Sequence, residues 1–293
     1  MSTSSIDVTV SVVVGSNGAP GSVESFLSTL APQLDDDVEV LVCEPAASSD
    51  DVRSRHPAVR FLDRPGALVP ELWRDGIDAA RGQFVALTIS PMRPAPDWLA
   101  TVRRLVADAD AVGGAIDPAE GLRVRDWAEY FCRYARDMRP FEPHACADLP
   151  GDNAAYSMAA LEPLREVYRA GFWEPVVHRA LLDRSLRLLH DPALVVYQGR
   201  SAGIDAFACQ RLRHGRLYGH QRGSGFSRVR NVLGVVGAPL VPFLMTFRVL
   251  RQVATKQRNR GAALGALPLI FYFNAVWAVA EARGHWEMLT RRA

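Results

Sequence analysis

VSVVVGSNGAPGSVESFLSTLAPQ, residues Val10 to Gln33, is the stretch on which the fold turns. A β-branched apolar run, Val8–Val14, gives way to the turn-rich GSNGAPGS, and an apolar-periodic stretch follows from Val23 to Leu34. That order reads as strand, loop and helix. Working outward, Val38–Cys43 reads as a second strand, Val59–Leu62 as a short third, and Leu68–Ala80 as a helix closing at Gly82. Gln83–Ile89 is a fourth strand whose unbroken apolar character predicts burial on both faces. Asp97–Ala109 then reads as helix and Ala111–Ile116 as strand. Strands alternating with helices imply an α/β fold, a mixed, largely parallel sheet flanked by helices, with ligands at the carboxyl ends of the strands.

The 293 residues are 48% hydrophobic and 23% charged, enough apolar surface for a large core and unlike a disordered chain. Cys43, Cys132, Cys146 and Cys209 are scattered without a metal-ligand rhythm, so reduced, mostly buried thiols in a reducing compartment are expected. Met1–Asp7 lacks a basic segment followed by an apolar one, and no secretory signal is expected there.

The net charge of +2 conceals a division. Residues 1–199 hold 19 Lys and Arg against 29 Asp and Glu, a net −10, whereas 200–293 hold 15 against 3, a net +12. Something acidic is expected to meet the second part. Because that part also contains the apolar runs Val232–Phe247 and Ala262–Ala280, a membrane surface is favoured over nucleic acid. Gly234, Gly237, Pro239, Pro242 and Pro268 would distort a spanning helix, so interfacial or re-entrant helices are expected, with spanning helices as the alternative. Two domains follow, 1–200 and a helical extension, 201–293.

Five segments, in order, resemble the family 2 glycosyltransferases of the GT-A (Rossmann-like) fold. They are the opening stretch with VEVLVCEPAASSDD; GIDAARGQFVAL with PAPDWL; LPGDNAAYSMAAL; FWEPVVHRALLDRSLRLLHDPALVVYQ; and QRLRHGRLYGHQR with FYFNAVWAVAEARG, similar to the C-terminal extension of membrane-associated members. The resemblance implies an inverting transfer from a nucleotide diphosphate sugar to a lipid-linked or polysaccharide acceptor at the cytoplasmic face of the membrane. Such chemistry requires a nucleotide pocket, neutralisation of the departing diphosphate, and a base that deprotonates the acceptor hydroxyl.

By this resemblance Ser16, Asn17, Glu44 and Asp75 would hold the nucleotide; the same residues also suit an ordinary turn, a solvated loop carboxylate and an exposed helix face. The family's acidic metal motif falls on Ile89, Ser90 and Pro91, and no carboxylate occurs between Asp78 and Asp97. The family's Mg²⁺ or Mn²⁺ site is therefore absent or rebuilt: carboxylates from elsewhere such as Asp152 hold the ion, arginines such as Arg93 or Arg216 neutralise the diphosphate directly, or catalysis has been lost. Ser90, Arg93, Arg213 and Arg216 are the candidates beside the diphosphate. Asp152 and Asn153 would face the acceptor. The family's catalytic Glu-Asp pair falls on Trp173-Glu174, making Glu174 the expected base. His178, four residues on, would orient Glu174 or an acceptor phosphate; a surface histidine is the plainer reading. The empty metal position leaves a second function open, a non-catalytic scaffold subunit of an envelope-assembly complex.

Overall fold

Six consecutive buried residues, Val10–Gly15, form β1, as a β-branched run with no polar face requires. The structure, a computed structural model, describes residues 9–16, 18, 19, 21–200 and 203–291. Val8 and Asn17 lie outside these. The chain divides into two units, Met1–Asp117 with Asp137–Gln198, and Pro118–Arg136 with Gly199–Ala293. The division drawn from the sequence has no counterpart to the excursion Pro118–Arg136.

In the first unit β1 is followed by α1 (Ser22–Leu30), β2 (Val38–Glu44), α2 (Asp50–Arg55), β3 (Arg60–Asp63), α3 (Val69–Ala79), β4 (Phe84–Ile89), β5 (Met92–Pro94), α4 (Trp98–Val106) and β6 (Ala111–Pro118). The helix expected to reach Leu34 stops at Leu30 and tightens into a 3₁₀ turn, Ala31–Gln33, around Pro32. The three-residue β5 is not signalled by any apolar alternation in the sequence.

After α5 (Val124–Tyr134), which belongs to the second unit, come β7 (His144–Ala145), β8 (Asn153–Ser157), α6 (Met158–Leu161), α7 (Glu174–Leu182) and β9 (Leu188–Gln198). The sheet runs β3-β2-β1-β4-β8-β6-β9-β5, with β7 beside β9. β1 to β4 are mutually parallel where they pair, while β8 is antiparallel to β4 and β6. The expected mixed α/β architecture is the one observed.

Helix faces follow the 3.6-residue period. α1 buries Val23, Phe26, Leu27 and Leu30, and α3 buries Leu72, Trp73, Gly76 and Ile77. Each large apolar side chain so buried contributes roughly 1.5–3 kcal/mol. α3 lies directly on the sheet because Gly76 has no side chain; a Cβ there would stand 2.2 Å from Val13 Cγ1. Of the cysteines only Cys43 is fully buried; Cys132 and Cys146 are half-buried and Cys209 is exposed, so the expectation of mostly buried thiols is corrected.

The second unit contains α5 and the helices α8 (Ile204–Ser224), α9 (Arg228–Val236), α10 (Val241–Lys256) and α11 (Arg260–Arg291). Gly215, Gly219 and Gly223, spaced by four, turn one face of α8 onto α11; a Cβ on Gly219 would lie 2.2 Å from the Glu281 carbonyl oxygen. Pro268 stands inside α11 without ending it, contrary to the distortion expected from the sequence. Arg260–Thr290 is long and apolar enough to cross a membrane, by a measure that the core helix of a soluble protein would also meet. α9 and the segment Ala238–Lys256 form a pair bent by 46° at Gly237.

Candidate functional site

The carboxyl ends of β1 and β2 open onto a cavity of about 270 Å³ in the first unit. Gly18 and Gly21, at φ 75° and 71°, turn the chain between β1 and α1 through conformations that side chains disfavour. Ser16 and Glu44 both line this cavity, together with Ser48 and Ser49 of the loop after β2. The Glu44 carboxylate, 1% exposed, accepts from the Ser48 N–H at 3.0 Å and the Ser48 hydroxyl, and pairs with Arg53 at 2.9 Å. It thus holds the loop that forms one wall, and is not a solvated loop residue.

Asp75 is not among the cavity residues. It pairs with Arg64 at 3.1 Å and Arg74 at 2.5 Å. Burial, and after it the Asp75 and Glu44 carboxylates, push the Cys43 thiol up to about 12, which leaves that thiol protonated and inert.

From this cavity a chain of bonds leads to the end of β4. The Ser90 N–H donates to the Gly15 carbonyl at 3.1 Å, and the Ser90 and Ser22 hydroxyls stand 2.8 Å apart. Ile89 and Ser90 are buried, whereas Arg93 on β5 is exposed between buried Met92 and Pro94. Among the described residues no group of three or more His, Cys, Asp or Glu is placed to hold a metal ion. Thr88–Ser90 carries hydroxyl and apolar groups and none of the carboxylate oxygens by which proteins usually hold Mg²⁺ or Mn²⁺.

The loop entering β8 meets β4 where the Thr88 hydroxyl donates to the Asp152 carbonyl at 2.9 Å. Over this loop lies Glu174, in the first turn of α7, where the helix dipole favours a negative charge. Contact is tight: a Cβ on Gly151 would fall 2.4 Å from Glu174 Oε1. Glu174, Asp152 and the end of β4 therefore share one place, and Trp173 precedes the helix as its half-buried N-cap.

Two expectations change here. Asn153 is fully buried: its side chain accepts from Trp98 Nε1 at 2.9 Å and donates to the carbonyls of Ala115 and Leu194 at 2.9 and 3.0 Å. The amide is spent on joining α4, β6, β8 and β9. His178 is not a surface residue but 0% exposed, with Nδ1 2.6 Å from Asp148 Oδ1 and Nε2 2.8 Å from the Tyr156 hydroxyl. Burial above all, then the Glu174 and Asp148 carboxylates, raise Tyr156 well above the ordinary tyrosine value, so its hydroxyl stays protonated. No sequence signal singles out Asp148 or Tyr156, because only the tertiary fold brings them to His178. Ser48 and Ser49 were legible as small polar residues after a strand.

Arg213 and Arg216 belong to the second unit. Arg216 pairs with Glu287 at 2.8 Å, while Arg213 is exposed on α8.

No protein-family model matches the chain, and no curated protein matches it. Solved structures do: the fold is that of the GT-A glycosyltransferases. The mannosyltransferase PcManGT from Pyrobaculum calidifontis, in complex with GDP-Man and Mn²⁺, is 19% identical with a TM-score of 0.55 over 95% of this chain and 87% of that one. GalNAc-T7 with UDP, GalNAc and Mn²⁺ is 14% identical with a TM-score of 0.50 over 66% of this chain; the match spans 43% of that longer chain.

Proposed function

We propose that the protein is an inverting, family 2-like glycosyltransferase that moves a sugar from a nucleotide diphosphate sugar to a lipid-linked or cell-envelope acceptor. The observation that carries this reading is the Glu174 carboxylate lying on Gly151 beside Asp152, at the end of β4, where Ser90 bonds to Gly15 at the end of β1 and to Ser22 at the start of α1. In the reaction Glu174 takes the proton of the acceptor hydroxyl. The acceptor oxygen attacks the anomeric carbon opposite the leaving group, and the carbon–oxygen bond to the diphosphate breaks with its electron pair. Asp152 and Trp173 stand on the acceptor side. Ser16, Asn17 and Glu44 serve the nucleotide end, with Asn17 outside the described residues; Asp75, paired with Arg64 and Arg74 and not among the cavity residues, is left out of that role. No step is assigned to a metal; Ser90 and Arg93 serve the diphosphate. The basic, apolar second unit supports action at the cytoplasmic face of a membrane.

The test supplies purified protein with a panel of nucleotide sugars and a membrane extract. Glu174→Gln is expected to lower turnover by roughly 10²–10⁴-fold while nucleotide binding is retained. Full activity in that variant would remove Glu174 as the base. The absence of a carboxylate cluster at Thr88–Ser90 supports the second reading, a non-catalytic subunit. Calorimetric titration with nucleoside diphosphates, with and without Mn²⁺, separates the two: binding in neither condition favours the scaffold, and metal-independent binding favours the arginine account.

A further inference from the structure

In the second unit α8, α9, α10 and α11 enclose a cavity of about 570 Å³ that the transfer chemistry does not use. Its charged wall is built on one ring. The guanidinium carbons of Arg222 and Arg230 each lie 5.5 Å from the centroid of Phe226, so one aromatic ring of the lining holds both cations at the cavity. Behind Phe226 the ring of His285 stacks at 5.9 Å with the planes 8° apart, and its Nδ1 is tied to Asn231 Oδ1 at 2.8 Å. The acidic lining residue, Glu281, accepts from Trp277 Nε1 at 3.0 Å and pairs with Arg222 at 3.4 Å, so its charge is already offset. Most of the remaining wall is small and apolar, Gly234, Gly237, Ala238, Ala278 and Ala282 among it.

The surroundings state what such a cavity fits. Leu233, Val236, Leu240 and Phe243 are each 63–70% exposed, an apolar band on α9, the following 3₁₀ turn and α10, in which Leu233 lines the cavity and the others are near neighbours in the chain of its lining residues Gly237, Ala238 and Val241. Water-facing surfaces rarely keep so many large apolar groups together. An arginine pair matches a phosphate. Beside an apolar band, the molecule presenting both features is a lipid with a phosphate headgroup.

We propose that this cavity binds the phosphodiester headgroup of an anionic membrane lipid, with Arg222 and Arg230 on the phosphate and the Leu233–Phe243 band among the acyl chains. The site rests on the membrane-surface part of the reading above and is independent of the transfer chemistry. It makes the second unit a reader of lipid charge as well as an apolar anchor.

The full chain is mixed with vesicles of phosphatidylcholine alone, or containing phosphatidylglycerol, and bound protein is measured by flotation. Arg222→Ala/Arg230→Ala is expected to lose about tenfold more affinity for the anionic vesicles than Arg248→Ala/Arg251→Ala, which removes the same charge from exposed positions on α10. Binding to phosphatidylcholine alone should not change. Ala238→Phe, which puts a large ring into the cavity and keeps every charge, should reproduce the loss. Equal losses in the two double variants would overturn the site while leaving membrane binding intact. Failure of the unaltered protein to bind any vesicle would overturn the membrane reading and the site together. Glycerol phosphate in solution is the last arm: displacement of the protein at the headgroup's own concentration would overturn a lipid as the occupant, and indifference to it supports one.

Discussion

Gly151 is the residue on which the proposed base rests. Gly151→Ala would drive a methyl group against Cγ and Cδ of Glu174 as well as its oxygen, so rotating the carboxylate end alone does not relieve the contact. Turnover is expected to fall roughly tenfold or more, since misplacing a catalytic group by about 1 Å costs up to 10²-fold, with nucleotide binding unchanged by calorimetry. A second prediction separates packing from substrate contact. Asn153→Ala leaves Trp98 Nε1 and the carbonyls of Ala115 and Leu194 without their partner. It should destabilise the protein by about 3 kcal/mol, read as a lowered urea midpoint at constant slope. An unaltered midpoint with a raised acceptor KM would return Asn153 to the acceptor side.

Among elements, Glu39 joins more of the sheet than any motif suggested. Its carboxylate, 6% exposed, accepts from the Ser11 hydroxyl on β1, from Arg60 on β3, and from the N–H and side chain of Arg81 before β4. Burial pushes its pKa up, but these hydrogen bonds outweigh burial and hold it below the ordinary value of 4.5. A depressed carboxylate stabilises the fold above the unfolded pKa, and that contribution is lost as pH falls from about 4.5 through the lower folded value. Glu39→Gln should therefore lower Tm at pH 6 and flatten the fall in Tm on acidification below pH 4.5, as calorimetric scans across that range would show. Equal slopes in the two proteins would remove Glu39 as a source of the acid sensitivity.

At the scale of the whole molecule, charge is divided between the two parts of the chain, net −10 over residues 1–199 and net +12 over residues 200–293. Binding to anionic vesicles should weaken as salt rises, because exposed charges are screened over about 10 Å at 0.1 M ionic strength. It should not vanish, because Leu233, Val236, Leu240 and Phe243 add an apolar contribution that salt does not screen. Complete release at high salt would reduce the second unit to an electrostatic contact.

The amino-acid order by itself determined the layered α/β architecture. β-branched runs, turn-rich loops and apolar stretches at helical spacing are local signals, and each constrains only its neighbours in the chain. It also placed Ser16 and Glu44 at strand ends, and these meet at one cavity. Only the tertiary structure decided that Asn153 is a tie within the sheet and that His178 is buried with Asp148 and Tyr156. It likewise set Gly151 beneath Glu174 and carried α11 through Pro268. In the first three cases the partners stand more than twenty residues apart, and pairing at that distance is fixed by packing and by the need of every buried polar group for a partner, which no window of sequence contains.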